Sequence, residues 1–171
     1  MQKNRVFHKD FIVFSDRFSI VDLQIDKGGS GMKKIDRNFI GRKLLVCGAT
    51  PKDMTHVKIL YKDFTEDGID LFLMSTTPKT DIGFKTYDSF GDLPEVPECA
   101  YIMSDKEQTA GILQQVIDLG IKKILFYGPV CYSKDLEELC RTNNIDARYG
   151  CPLIFSKVIF CRIHALTGGF K

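Results

Sequence analysis

The stretch Lys43-Leu44-Leu45-Val46-Cys47-Gly48-Ala49-Thr50-Pro51 decides the fold. Its first five residues show no polar alternation, the pattern of a strand buried on both faces rather than one with a wet side. Glycine and proline then break the run. Downstream, Val57, Leu60, Tyr61 and Phe64 recur at i, i+3, i+4 and i+7 and share one face of a helix. Gly68 can end that helix in the left-handed conformation, and Ile69-Asp70-Leu71-Phe72-Leu73-Met74 follows as a second strand.

Working outward, the cycle recurs. The polar link from Ser75 to Pro97 reads as loop. Cys99-Ala100-Tyr101-Ile102-Met103 is a third strand. Ser104 and Glu107 have the spacing of a capping box, and the helix they open carries Ile112, Leu113 and Val116 inward before Gly120. Ile121 to Tyr127 is a fourth strand, and Ser133 caps a helix with Leu136, Leu139 and Cys140 inward. Asn143-Asn144 ends it, and Ile145 to Tyr149 is a fifth, weaker strand. Gly68-Ile69, Gly120-Ile121 and Asn144-Ile145 each place a residue tolerant of positive φ before an isoleucine. Strands alternating with helices predict an α/β fold: a Rossmann-like open parallel sheet of about five strands with helices on both faces.

The ends fit this scheme less well. Residues 1–31 read as an N-terminal extension or a fused peptide, with a hairpin pattern between Phe11 and Leu23 and a flexible Gly28-Gly29-Ser30-Gly31 linker before Met32. The Rossmann domain is assigned to 32–171. Lys157 to Leu166 is apolar enough for a strand or a short helix, and Gly168 to Lys171 is expected to fray.

Composition narrows the function. The 171 residues include 24 basic and 22 acidic side chains, interspersed, for a net charge of +2. No basic stripe exists to follow a phosphate backbone, so nucleic acid is not expected as a partner. No apolar run approaches the ~18–20 residues of a membrane span, and Met1-Gln2-Lys3-Asn4-Arg5 does not open a secretory signal. A cytoplasmic protein with no membrane contact is expected. The six cysteines lack metal-site spacing and read mainly as buried thiols in a reducing compartment. Cys131 and Cys151, beside prolines, are the two with a claim to exposure. His8, His56 and His164 are isolated, with no triad or metal partner in sequence. No catalytic residue and no metal ligand is assigned.

In an open parallel sheet the ligand crevice lies at the carboxyl ends of the strands, where strand order reverses. That gathers the loops Gly48–Asp53, Ser75–Gly83, Met103–Lys106 and Gly128–Ser133. In the first, Gly48 permits a tight turn, Thr50 offers a hydroxyl, Lys52 a cation, and the next helix its unsatisfied N–H groups, so an anion is favoured. An ordinary β-to-α turn would use the same residues. The loop is neither GxGxxG nor Walker A. The second strand ends in Met74-Ser75-Thr76-Thr77, without the acidic residue that would hold an NAD ribose.

Taken in order, Val46-Cys47-Gly48-Ala49-Thr50-Pro51-Lys52, Pro78-Lys79, Gly83-Phe84-Lys85-Thr86-Tyr87 and Leu93-Pro94-Glu95-Val96-Pro97 resemble the CoA-binding domain family, a stand-alone relative of the CoA-binding domain of succinyl-CoA synthetase. Gln115 to Lys122, Gly128, Leu136-Glu137-Glu138-Leu139 and Gly150-Cys151-Pro152-Leu153 continue the resemblance over about residues 40–154. It implies non-catalytic binding of coenzyme A or an acyl-CoA, with Gly48, Ala49, Thr50 and Lys52 against the phosphates and Pro78 and Lys79 at the adenosine end. Pro51, Thr77, Gly83, Gly128 and Pro129 complete the expected cofactor-binding set. Two further readings stand beside it. One is an interaction module that keeps the fold without the ligand, pairing as a homo-oligomer or with another protein through its terminal apolar segments. The other is a redox role in which Cys131 forms a mixed disulfide with the CoA thiol.

Overall fold

In the computed structural model, described for residues 32–75 and 83–166, Lys43–Cys47 forms an interior strand of a sheet in which every pairing is parallel. In chain order the strands are β1 (Lys33–Lys34), β2 (Lys43–Cys47), β3 (Asp70–Met74), β4 (Thr86–Tyr87), β5 (Cys99–Ile102), β6 (Lys123–Phe126) and β7 (Asp146–Tyr149). The helices are α1 (Met54–Glu66), α2 (Lys106–Asp118), α3 (Lys134–Thr142) and α4 (Ile159–Leu166). Strand order is β1-β7-β6-β5-β2-β3-β4. The chain leaves β2 toward β3 on one side and returns to β5 on the other, so the order reverses between β2 and β5.

The unbroken apolar run predicts burial on both faces, and alternate residues of β2 divide between two cores. Leu44 and Val46 join Val57, Leu60 and Phe64 of α1, while Leu45 and Cys47 join Leu113 and Val116 of α2 and Leu136 and Cys140 of α3. The fold is Rossmann-like, an open sheet with helices on both faces.

All three helix ends close as the sequence predicts. Gly68, Gly120 and Asn144 have φ of +73°, +83° and +53°. At each, the isoleucine that follows donates its N–H back to the helix, Ile69 to Phe64 O at 2.8 Å, Ile121 to Val116 O at 3.3 Å and Ile145 to Cys140 O at 2.9 Å. These are Schellman closures, which satisfy orphan carbonyls and start the next strand inside the core.

Several expectations need correction. Among the described residues the sheet has seven strands rather than about five, the two-residue pairings at β1 and β4 being too short to leave a periodic signal. The segment read as loop between Ser75 and Pro97 therefore contains β4, paired with β3, and a 3₁₀ turn at Phe90–Asp92. The capping box at Ser104 and Glu107 is not formed. Asp105 caps α2 by accepting the Gln108 N–H at 3.0 Å, and the buried Ser104 hydroxyl bonds Thr109 Oγ1 at 2.8 Å. Ser133 does cap α3, accepting from Leu136 N.

At the ends, Met32 is buried in the core, and β1 is held to β7 by Arg148, which pairs with Asp36 and Asp146 and lies 4.3 Å over the Phe39 ring. The hairpin, linker and C-terminal fraying assigned to 11–23, 28–31 and 168–171 lie outside the described residues. Lys157 to Leu166 contains the helix α4. Its start is fixed to α1 by the Ser156 hydroxyl donating to buried Asp63 and by Lys157 pairing with Asp67 at 2.8 Å.

Candidate functional site

The reversal of strand order brings the turn after β2 against the turn after β5. Gly48 has φ of +72°, and a Cβ there would lie 2.6 Å from Ser104 Cβ and 2.9 Å from Ser104 N. Only glycine lets the two backbones approach so closely. Met103 N–H, bonded to Cys47 O at 2.9 Å, continues the pairing into the turns.

Beyond Gly48 the chain makes a 3₁₀ turn, Pro51–Asp53, that runs into α1. Asp53 folds back on this turn. One of its carboxylate oxygens accepts both the Thr50 N–H at 2.7 Å and the Thr50 hydroxyl at 2.6 Å. The donors that sequence reasoning assigned to a phosphate are thus satisfied internally, by a residue that reasoning did not select. Its signal was present as the capping-box spacing Thr50 to Asp53. Lys52 is exposed, and Ala49 is buried.

Lys52 also lines an open cavity of about 430 Å³ between α1 and α4. One wall is the α1 side, with Lys52, Asp53, Thr55, His56 and Ile59; the other comprises Leu153, Phe160 and Cys161, and Tyr127 borders it from the end of β6. Apart from Lys52, none of the described residues expected at the ligand site lines this cavity. The missed residues carried a readable signal: 52, 55, 56 and 59 have helical spacing, offset from the core face of α1 at 54, 57, 60 and 64.

His56 is not isolated in the fold. Its Nε2 lies 3.4 Å from the Tyr101 hydroxyl and 3.8 Å from Cys151 Sγ, and its ring meets Tyr127 edge-on. Burial pushes the Tyr101 phenol well above its ordinary value and the Cys151 thiol up to about 11. At neutral pH the Tyr101 phenol and the Cys151 thiol beside His56 are therefore uncharged, with Cys151 held as a thiol and not as an activated thiolate.

The other expected residues lie on other loops. Gly128 and Pro129 follow β6, where Gly128 O accepts from Cys131 N at 2.9 Å. Gly83, with φ of +79°, precedes β4. Thr77, Pro78 and Lys79 lie outside the described residues. Cys131 is 0% exposed, and burial raises its pKa, so the expectation of an accessible thiol there is corrected. Its sequence neighbours Pro129 and Val130 are exposed, which is why a local reading failed. Among the described residues, no group of three or more His, Cys, Asp or Glu is placed to hold a metal ion, and no helix is long and apolar enough to cross a membrane.

The sequence profile of a known family, the CoA binding domain, matches residues 42–157, about two thirds of the chain. The chain belongs to the CoA binding domain family. No curated protein matches it. Among solved structures, an uncharacterized protein is similar at 19% identity and a TM-score of 0.55, covering 75% of this chain and 98% of its own. A hypothetical protein from Pyrococcus horikoshii OT3 is similar at 20% identity and a TM-score of 0.51, covering 63% and 75%. A Thermus thermophilus protein has 14% identity and a TM-score of 0.51, covering 63% and 81%. At such identities these structures establish the shared fold alone. The family match spans the Gly48–Asp53 turn, the loops at the carboxyl ends of β3, β5 and β6, and the 3₁₀ turn at Pro152–Phe155. In this CoA binding domain α4 lies beyond the matched region, so of the second wall Leu153 falls within the match and Phe160 and Cys161 outside it.

Proposed function

We propose that this chain binds coenzyme A or an acyl-CoA through the nucleotide phosphates at the Gly48–Lys52 turn, and does so without catalysis of its own. Family membership over 42–157 is the observation that carries this reading. The local chemistry agrees with it. The turn follows the interior strand β2 at the reversal of strand order, Gly48 allows the tight turn, Lys52 is exposed and α1 begins directly afterwards. Gly48, Ala49, Thr50, Pro51 and Lys52 would then border the phosphates, Thr77, Pro78 and Lys79 the adenosine, and Gly83, Gly128 and Pro129 the remaining rim. The residues fit such a group with one reservation of chemistry: Asp53 must release Thr50 for its donors to reach a phosphate.

Lys52 supplies the test. A hydrogen bond to a charged group contributes ~1.5–3 kcal/mol, so Lys52→Ala should weaken CoA binding roughly ten- to a hundredfold with little change in melting temperature. Calorimetric titration with CoA, with dephospho-CoA and NAD as comparisons, measures this. Equal CoA affinity in both proteins, or tighter binding of NAD than of CoA, would refute the assignment.

A second reading, pairing with another copy of this chain through a terminal apolar segment, is favoured by one observation. α4 and the residues before it leave Val158, Ile159, Phe160 and Ile163 between 44% and 79% exposed. Contiguous exposed apolar side chains of this kind mark interaction surfaces.

A further inference from the structure

α4 is apolar on both sides. Cys161 and Ala165 pack against the core, whereas Ile159, Phe160, Ile163 and Leu166 remain exposed, with Val158 just before them. Val96 and Val130, the other large exposed apolar side chains among the described residues, stand alone in the sequence. A helix that is apolar all round is ordinarily buried all round. The sequence of α4 is polar only at Arg162 and His164 and carries no carboxylate.

At these exposures the side chains on and before α4 present roughly 500 Å² of apolar surface, large for a patch left to water. That is less than the ~800 Å² per partner of a specific interface between separate chains. A two-fold pairing of α4 with itself also offers Arg162 no carboxylate. One stretch of the same chain, outside the described residues, supplies what is missing. Phe18-Ser19-Ile20-Val21-Asp22-Leu23-Gln24-Ile25-Asp26 has five large apolar side chains, two carboxylates and no basic residue. A tether of a few residues places it at ~millimolar effective concentration, at which a patch too small for a separate partner suffices. We propose that residues 18–26 cover the outer face of α4 in the same chain, with their carboxylates toward Arg162.

The path is short enough. Every pairing in the sheet is parallel, so β1 and β3 start at the same end of it. α4 starts at that end too, because Lys157 pairs with Asp67, just before β3. The cluster against which α4 packs includes Leu125 of β6 and Tyr101 of β5, two and three strands from β1. That is ~10–15 Å across the sheet and a further ~10 Å for one packed layer, a separation of roughly 15–20 Å. The steps from Asp26 to Met32 span up to ~20 Å when extended.

Phe160→p-benzoylphenylalanine in the full chain puts a photoreactive ketone on the patch, at a position where an aromatic ring is already 79% exposed. Irradiation should give a cross-link at monomer mass that peptide mass spectrometry maps to residues 18–26. Ile20→Ser with Leu23→Ser should lower its yield at least fivefold. Arg162→Glu, at an exposed position, should lower it at least twofold and carries the test should a thermal melt show the serine variant unfolded. The same photoprobe at exposed Val130, on the loop after β6, should give no link to 18–26. A cross-link at dimer mass, joining isotope-labelled to unlabelled chains, assigns the patch to a second copy and overturns this inference in favour of the pairing reading. No cross-link, a link mapped elsewhere in the chain, equal links from positions 130 and 160, or a yield untouched by the substitutions overturns it outright.

Discussion

Asp53→Asn should tighten CoA binding, the opposite sign to Lys52→Ala at the neighbouring position. In the structure the Asp53 carboxylate holds the Thr50 amide and hydroxyl at 2.7 and 2.6 Å. A phosphate taking either donor must displace it, and its charge opposes any anion brought to the turn. Hydrogen bonds to a charged group contribute about 1.5–3 kcal/mol and neutral ones about 0.5–1.5, so neutralising the acceptor lowers the cost of releasing each by roughly 1 kcal/mol. Thr50 is exposed and Asp53 only half-buried, so solvent screening reduces the combined effect to about 1 kcal/mol, a five- to tenfold gain in affinity. The same weakening of the Thr50 contacts should lower the stability of the free protein by about 1 kcal/mol, a fall of roughly 2–4 °C in melting temperature. The measurement is calorimetric titration of CoA into both proteins at low and at physiological salt. The gain should shrink as salt rises, because it comes partly from removing a repulsive charge. Unchanged or weaker binding by Asp53→Asn would refute the idea that phosphate and carboxylate compete for Thr50.

Three further outcomes are expected. Gly48→Ala should destabilise the fold by about 2–4 kcal/mol, from the left-handed backbone and the contact with Ser104, whereas Gly128→Ala, whose Cβ would meet nothing within 4 Å, should be near neutral in the same denaturant titration. A chain beginning at Met32 should keep a cooperative melt, and one beginning at Lys43 should lose several kcal/mol with β1 and the buried Phe39 and Ile40; equal melts of these two shortened chains would show that β1 contributes nothing. Under the pairing reading, Phe160→Ser with Ile163→Ser should sediment as a lighter species than the wild-type chain, and identical sedimentation of the two would count against it.

How far the sequence could be read follows from the range of the interactions involved. β2, β3, β5 and β6 are legible because unbroken apolar runs report burial on both faces. The ends of α1, α2 and α3 are legible because the Schellman closure needs only one residue of positive φ and the apolar residue after it. β1 and β4 are not, since two residues carry no period and their pairing depends on partners more than a hundred and about a dozen residues away. The start of α2 was misread by one residue because serine and aspartate are both good caps. The choice between Ser104 and Asp105 turns on Thr109, whose buried hydroxyl takes up Ser104.

The site divides along the same line. The turn after β2 was found from local chemistry, since its glycine, hydroxyl and lysine are adjacent in the chain. The cavity was not, because its wall joins α1 to residues 153, 160 and 161, a hundred positions away. The outer wall of the cavity therefore depends on the docking of α4, which packs Cys161 and Ala165 against the core and whose start is tied to α1 by polar contacts. Ser156 meets buried Asp63, and Lys157 pairs with Asp67, whose carboxyl is held below its ordinary value by that lysine. A depressed carboxylate contributes stability above its unfolded pKa and loses it as pH falls through the folded value, and a raised lysine loses its contribution as pH rises through its own, so the Lys157 contact weakens in acid below about pH 4 and again in strong alkali. Across the neutral range both charges of the Lys157–Asp67 pair persist, so a melt followed from about pH 6 to pH 9 should show no loss of stability from this contact.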